Sequence, residues 1–595
     1  MSASALPFLR HATPPSTFPT FYVRTDGNDA NTGTANTSGG AWRHIDYAVA
    51  HVTADDVVRV QAGTYVETTS AWISGTSGHT VTLVADGAVT TCGMSFSSKS
   101  YIRVIGFDLD PNASSCAGSP SPVVNISGTN TGLEFWNNTV GNTQGGGYRA
   151  DFGFGDRCDK CIWLGGSLHD IGDPGEANAM VLGGNDDFVG YVNFTDICWL
   201  GVGMSGNRQR YIGLTFSGFT QCSTTHPDFY YVQGTSTLGW SFGLVDGNFG
   251  IGTPTANDNK TFHAENNQAT TPWNDVVWRF NVWHDLGSAA AFSNYLSPGT
   301  SAAQNRWRFY SNSHVYGDRA QSGSDFNNCG NVSGNGGTIT FYVFNNIFYQ
   351  CWADDATSSI TPWPTTAAAG ANYNLAYSPL GSVTYGAFWT DQANEQSNVN
   401  PNFVNVGSDD FHLGAGSGSG ANARGTGGAL TTATSCSGSV LNVATNTGSF
   451  FVGSNAGNLP QYSGGLVPGD VITVNATNYT VQSVSGDALT LTSAISCSNG
   501  DPVYFGASET IDIGAYPYKS GGYTLSATYS TVGGTVTITP NDASLVRFVV
   551  CYDSGVPYNV DNTSPYSCST AAGTFSARVY PKYPSTTLYA TASPA

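Results

Sequence analysis

The chain has 595 residues, with 21 Lys and Arg against 41 Asp and Glu, a formal net charge of −20, and only 10% of its residues charged. So acidic a chain excludes nucleic acid and an anionic membrane surface as partners, and no apolar run is long enough for a spanning helix. Its 73 glycines and 12% aromatic residues fit an all-β body with many tight turns rather than a disordered chain.

Residues 1–19 read as a Pro-, Ser- and Thr-rich arm. They hold no apolar core of signal-peptide length, so a signal was removed or never used. A strand at Tyr22 and Val23 leads to a loop with Asp26, Asn28 and Asp29, then to a helix expected over Arg43–Val52. Ile45, Ala48, Val49 and Val52 fall at i, i+3, i+4 and i+7 and give that helix one apolar face. Asp26, Asn28 and Asp29 alternate as in a calcium loop, yet the remaining EF-hand ligands are missing. Calcium is the one cofactor the residues suggest.

From residue 56 to 351 short apolar strands recur, among them Tyr101–Phe107, Phe188–Phe194, Arg210–Phe216, Val276–Val282 and Ile339–Phe344, with starts 22 to 37 residues apart. Such a series, with no helices between, is the pattern of a β-solenoid, in which each turn buries its apolar face only by stacking on the next. Cys92/Cys116, Cys198/Cys222 and Cys329/Cys351 lie about one turn apart, a spacing compatible with disulfides between adjacent turns. Cys436/Cys497 bracket a later segment and Cys551/Cys568 lie in another. Cys158 and Cys161 form a CxxC with no second pair nearby, which favours a structural bridge or free thiols over zinc. The set points to an oxidising exterior.

Residues 429–507 alternate apolar and polar with Gly-Asp turns, as a small β-barrel insert closed by Cys436 and Cys497 would. Residues 519–595 hold five strand candidates at the spacing of an immunoglobulin-like sandwich.

Two blocks carry a resemblance. Tyr22–Val23, Asp26–Gly27–Asn28–Asp29, Trp42 and Ala62–Gly63–Thr64–Tyr65 resemble the N-terminal signature of secreted and phage-borne right-handed parallel β-helix proteins, of the pectate-lyase-like and tailspike-like kind. Asn400–Pro401–Asn402–Phe403, Asp410–Phe411–His412–Leu413 and Ile511–Asp512–Ile513–Gly514–Ala515–Tyr516 are similar to that family's C-terminal strands. The resemblance implies a right-handed parallel β-helix over 20–428, capped by the helix and closed by a strand at 508–518. It is weak for activity, since this fold hosts lyases, hydrolases, epimerases and inert fibres. Tailspikes of this kind are often homotrimers, although no trimer-forming tail is visible.

For chemistry, two His-x-acid pairs stand 37 residues apart: His226 and Asp228, His263 and Glu265. If Phe229 and Phe262 point inward, all four point outward. In register the carboxylates would sit about 5 Å apart, the spacing of a retaining glycosidase pair. A histidine would serve equally as a lyase base, and the four groups as metal ligands. Tyr230, Trp240, Trp273 and Trp278 are candidate stacking surfaces for sugar rings, and Arg279 a candidate partner for a uronate carboxylate. The competing reading for all of these is core packing and turn capping. Asp170, Asp196, Asp246 and Asp285 each follow a strand, as a calcium ladder or, more simply, as turn residues.

The leading expectation is an extracellular or virion-surface protein, tailspike-like or secreted, that binds a polysaccharide or cell-surface glycan and, if an enzyme, cleaves it as lyase or hydrolase. The alternative is a non-enzymatic decoration, collar or fibre protein, partnered by other virion proteins, or an adhesin.

Overall fold

A computed structural model describes residues 18–113, 116, 122–143, 146–150, 156–172, 177–220, 227–233, 240–241, 243–252, 260–266, 273–274, 276–285, 292–296, 304–315, 331–334, 339–350, 371–379, 394–415, 423–444, 466, 469–485, 487–508, 512–516, 518–520, 522–562, 564–571 and 573–595. The chain divides into two compact units. Of the described residues, one holds 18–231 with 525–582 and 586–595; the other holds 232–524 with 583–585.

The first unit is a parallel β-helix. One ladder stacks residues 57–60, 81–84 and Ile102–Ile105, then Glu134–Trp136, Ile162–Leu164, Phe188–Gly190 and Arg210–Ile212, every pairing parallel. Its inward row is Val58, Leu83, Val104, Phe135, Trp163, Val189 and Tyr211, none more than 2% exposed. A second ladder stacks residues 89–91, Asp108–Leu109, Thr139–Thr143, Ser167–Ile171, Asn193–Ile197 and Thr215–Ser217. A third stacks residues 93–97, Val124–Ser127, Tyr148–Ala150, Asn178–Gly183 and Leu200–Asn207, and then residues 228–231. The expected fold class is thus present as three ladders of parallel strands around an apolar interior.

The N-terminal helix spans Ile45–Val49, shorter than expected, and buries Ile45, Ala48 and Val49. Its start has no cap from His44. Instead the Glu67 carboxylate accepts the Ile45 and Asp46 amides at 2.8 and 3.0 Å, satisfying two donors that every helix start leaves open. Val52, beyond the helix, is still fully buried.

Residues 527–594 form two four-stranded sheets. One joins Ala527–Val532, Thr535–Pro540, Tyr566–Ser569 and Ser593–Pro594; the other joins Val546–Asp553, Val556–Asp561, Phe575–Pro581 and Ala590–Thr591. They share a core of Val536, Ile538, Val549, Tyr558, Tyr566 and Val579. The second sheet lies on the outer face of the first ladder. Tyr552 meets Trp136 edge-on at 6.4 Å, Phe548 meets Phe188 and Tyr191, and Tyr580 lies 4.7 Å from Tyr191. Beneath it Arg103 and Glu134 are paired at 2.6 Å, both nearly buried, with Arg103 also donating to the Pro557 carbonyl.

The second unit continues the same kind of parallel pairing. Phe249–Ile251, Val282–His284, Ser313–Val315, Ile347–Tyr349 and Leu375–Tyr377 stack in register. Where consecutive strands turn, buried asparagines form a ladder. Asn248, Asn281, Asn312 and Asn346 each donate to the side-chain carbonyl of the next asparagine at 2.8–3.0 Å, and Asn374, the last, donates to the Glu395 carboxylate. Each side chain thereby repeats the backbone pairing through a turn whose polar groups would otherwise be buried unpaired.

The barrel expected over 429–507 is closed and six-stranded: Thr431–Ser437, Val440–Val443, Val471–Val474, Thr477–Ser485, Ala488–Leu491 and Pro502–Phe505. Phe403–Asn405 and Asp410–Leu413 make an antiparallel hairpin. Residues 512–516, read from the sequence as a closing strand, are bends rather than a strand. Ile513, Ala515 and Tyr516 pack with Phe411 and Leu413 on Val282, Val315, Ile347 and Leu375.

Disulfides join Cys92 to Cys116, Cys436 to Cys497 and Cys551 to Cys568, as the spacing suggests. Cys158 and Cys161 bridge each other across a turn, so the CxxC is a structural bridge and not a zinc half-site. Cys198 is disulfide-bonded, while Cys222, Cys329 and Cys351 lie outside the described residues.

Candidate functional site

The expected carboxylate pair is not brought to an open surface at Asp228. This side chain is fully buried; its amide donates to the Trp199 carbonyl at 3.1 Å, and its strand places it opposite Leu200. The parity argument fails here because Asp228, Phe229 and Tyr230 are all fully buried, so neither face of the strand is exposed. Phe229 stacks on Phe216 at 5.0 Å and meets Phe219 at 4.9 Å, while Tyr230 joins the buried row of Met180 and Val202. Both sides of this strand are therefore covered. Burial pushes the Tyr230 phenol well above its ordinary range.

Glu265 and Asp228 belong to different units. His263 and Glu265 pair in register with Ser293 and Tyr295, but their side chains, like all of His226, lie outside the described residues. So does the side chain of Trp273, whose strand pairs with Gln304. Trp240 and Trp278 are fully buried, 6.2 Å apart and edge to face, with Phe262 5.1 Å from Trp278. They are core residues, not a sugar platform.

Arg279 is also fully buried. It pairs with Asp246 at 2.7 Å and Asp470 at 3.0 Å, donates to the Tyr310 hydroxyl, and lies over the Phe505 ring. A strand of the helix is thereby tied to the barrel, and the guanidinium is spent on the protein. Asp246 stands in the strand opposite Arg279, whereas Asp170, Asp196 and Asp285 take the left-handed conformation, the first two one residue before the ends of Ser167–Ile171 and Asn193–Ile197 and the third just after Val282–His284. The turn reading describes those three.

In the N-terminal loop, the Asp26 carboxylate is held by Arg24, whose hydrogen bond lowers its pKa. Asn28 caps the Ala30 amide, and Asp29 accepts from the Arg43 and His44 amides and contacts the His44 ring. The three suggested calcium ligands do not converge.

A different site stands on the outer face of the second ladder of the first unit. Leu109, Val140, Leu168, Phe194 and Phe216 point inward, none more than 1% exposed. The alternating residues form a polar row in register: Thr90, Asp108, Thr139, Ser167, Asn193 and Thr215. Six such strands extend about 24 Å at the spacing of paired strands. The Thr90 hydroxyl donates to Asp108 at 3.2 Å, Ser167 to Thr139 at 3.4 Å, and Thr215 to Asn193 at 2.6 Å.

Beside this row stand Gly141, His169, Thr195 and Ser217. Gly141 makes room for the imidazole, because a Cβ there would lie 2.4 Å from the His169 ring. Asp170, at φ 51°, swings its carboxylate onto His169 Nδ1 at 2.7 Å. Burial pushes the half-buried Asp108 carboxyl up; Thr90 and His169 offset part of this, and the charge of Asp110 adds to it. Asp110 itself is occupied by the Asn112 amide and by Asn142.

This arrangement offers a carboxyl whose pKa burial raises, near an imidazole whose Nδ1 contacts Asp170 and whose Nε2 is left for proton transfer. Sequence reasoning noted Asp170 and passed over His169. The signal available was a repeated strand end, Leu168-His169-Asp170-Ile171-Gly172 and Trp283-His284-Asp285-Leu286-Gly287.

No protein-family model and no curated protein matches the chain. Among solved structures it is similar to XylC in complex with xylose, at 12% identity and TM-score 0.42 over 83% of this chain and 99% of that one. It is similar also to a rhamnogalacturonan lyase, at 13% identity and TM-score 0.36 over 66% of this chain and 91% of that one. A third is the GH136 lacto-N-biosidase of Eubacterium ramulus, at 12% identity and TM-score 0.34 over 56% of this chain and 64% of that one. At such scores the likeness carries no argument, and the fold rests on the strand register itself.

Proposed function

We propose that the protein binds an extracellular glycan along the polar row from Thr90 to Thr215 and hydrolyses a glycosidic bond beside Asp108. The observation that carries the reading is the placement of Asp108, whose carboxyl burial pushes up, on the same outer row of strands as the His169–Asp170 pair. Asp108 protonates the leaving oxygen, and His169, oriented by Asp170, takes a proton from the attacking water. The hydroxyl and amide side chains of the row suit sugar hydroxyls. Neither Lys nor Arg stands among its residues, so a neutral glycan suits this acidic chain better than a uronate polymer, and hydrolysis better than elimination. The disulfides support an oxidising exterior, where a secreted enzyme or a tailspike-like virion protein would work.

The test is a panel of neutral and acidic bacterial polysaccharides, followed by reducing ends and by the absorbance of unsaturated uronates. New reducing ends without that absorbance, lost in Asp108→Asn and in His169→Ala, are expected. Cleavage that survives in both variants moves the chemistry elsewhere. No cleavage across the panel favours the second reading, a non-enzymatic virion or adhesive protein, for which the disulfides and the docked sandwich are reason enough.

A further inference from the structure

The polar row has a spacing that selects among glycans. Its ladder runs without a register shift through Asp108–Leu109, Thr139–Thr143, Ser167–Ile171, Asn193–Ile197 and Thr215–Ser217. Thr64, exposed and in register with Thr90, adds one more polar residue before it. Thr64, Thr90, Asp108, Thr139, Ser167, Asn193 and Thr215 therefore stand in one line, about 4.8 Å apart. Two residues further along their strands, His169, Thr195 and Ser217 make a second line in register, about 6.6 Å from the first. Thr139, Ser167 and Asn193 of the first line and His169, Thr195 and Ser217 of the second are all partly exposed.

Given the glycan reading of this row, on which the step rests, we infer that the ligand is a straight, neutral, 1,4-linked chain with equatorial linkages, laid along the row at about one sugar per strand. Such a chain is an extended ribbon whose rise per sugar is close to the strand spacing, so each ring meets the next polar residue in step. A 1,3-linked chain, or a 1,4-linked chain with one axial linkage, coils instead. After a few sugars it turns its hydroxyls away from a straight row. A ribbon carries hydroxyls on both edges, and the two lines of side chains stand where those edges lie.

The hydrogen bonds within the row fit this role. The Thr90, Ser167 and Thr215 hydroxyls each donate to a neighbour in the row, which leaves their oxygen lone pairs to accept from sugar hydroxyls. The same bonds hold the side chains in place before the ligand arrives, so less ordering is left to oppose binding. Thr64 and Thr90 precede Asp108, and Thr139, Ser167, Asn193 and Thr215 follow it. A chain that fills the row thus runs past the carboxyl on both sides, and the bond beside Asp108 is an internal one.

Binding is measured calorimetrically on the full-length Asp108→Asn protein, so that turnover does not consume the probe. The probes are cellohexaose, mannohexaose and xylohexaose, which are extended, and maltohexaose and laminarihexaose, which coil. At least one extended hexamer is expected to bind at least tenfold more tightly than either coiled one, with affinity rising from the dimer to the hexamer of the same series. Adding Asn193→Ala is expected to weaken that hexamer several-fold in protein that circular dichroism shows to be folded. Equal affinity for extended and coiled hexamers, affinity that stops rising at the dimer, or no effect of Asn193→Ala would overturn the straight-chain assignment and leave the glycan reading standing. Binding of none of the five would overturn it too, and the polysaccharide panel then decides whether the glycan reading falls with it.

Discussion

The placement of a single carboxyl decides the chemistry open to the polar face. Asp108 is pushed up by burial, so the folded protein holds its proton more tightly than the unfolded chain does. The sign of the linkage follows. The contribution is fully present below the unfolded pKa and is lost as pH rises through the raised folded value, so the ionised group opposes folding at neutral pH. Asp108→Asn is therefore expected to raise the unfolding temperature at pH 7 and to leave it nearly unchanged at pH 3, while ending hydrolysis at both. Thermal unfolding at the two values checks this; an equal change at both would mean that the carboxyl's charge is not at issue. At Arg279 the same reasoning runs the other way. Its charge is met by Asp246 and Asp470 in a closed interior. Arg279→Leu is expected to cost about 3–5 kcal/mol by leaving two buried carboxylates unmatched, measured by denaturant unfolding.

Among the elements, the asparagine ladder gives the second unit its register. Asn312 accepts the Asn281 amide and side chain and donates to the Trp278 carbonyl and to Asn346. Asn312→Ala removes one rung and strands buried backbone groups on both sides. The expected loss is about 2 kcal/mol for the unmade bonds, and amide exchange near residues 278–281 and 344–346 should quicken most. Little of the ladder stood out as such in the sequence: strands visibly ended in Gly, Asn or Asp, but only stacking shows which asparagines share one column. The helix of the N-terminal cap was more legible, because its apolar spacing of three and four survives whatever it packs against. Its length was less so, since Glu67, from the following strand, supplies the cap.

For the whole molecule, residues 525–582 and 586–595 are structural parts of the first unit. The sheet of Val546–Asp553 and Phe575–Pro581 covers Trp136, Phe188 and Tyr191 and the buried Arg103–Glu134 pair. Ending the chain at residue 524 is expected to expose this apolar face and give aggregated protein that binds a hydrophobic dye. A soluble truncated protein with an unchanged unfolding temperature would show that the sandwich is merely appended.

By itself the sequence determined the stack of parallel strands, the capping helix, the barrel and several cysteine pairs. Each of these rests on short-range periodicity, or on spacing that one coil imposes. It did not determine the site. Alternation points to an exposed face only where one face of the strand is left uncovered, and at Asp228, Phe229 and Tyr230 both are buried. Which outer face stays open was decided by segments hundreds of residues away in the chain. The sandwich covers one ladder of the first unit, and the hairpin with residues 512–516 covers an apolar face in the second. Among the described residues, the side-chain hydrogen bonds of the polar row at Asp108 and His169 are made within the row and to Asp170. Only tertiary structure sets that difference, because covering a face is a long-range packing event that leaves no period in the covered strands.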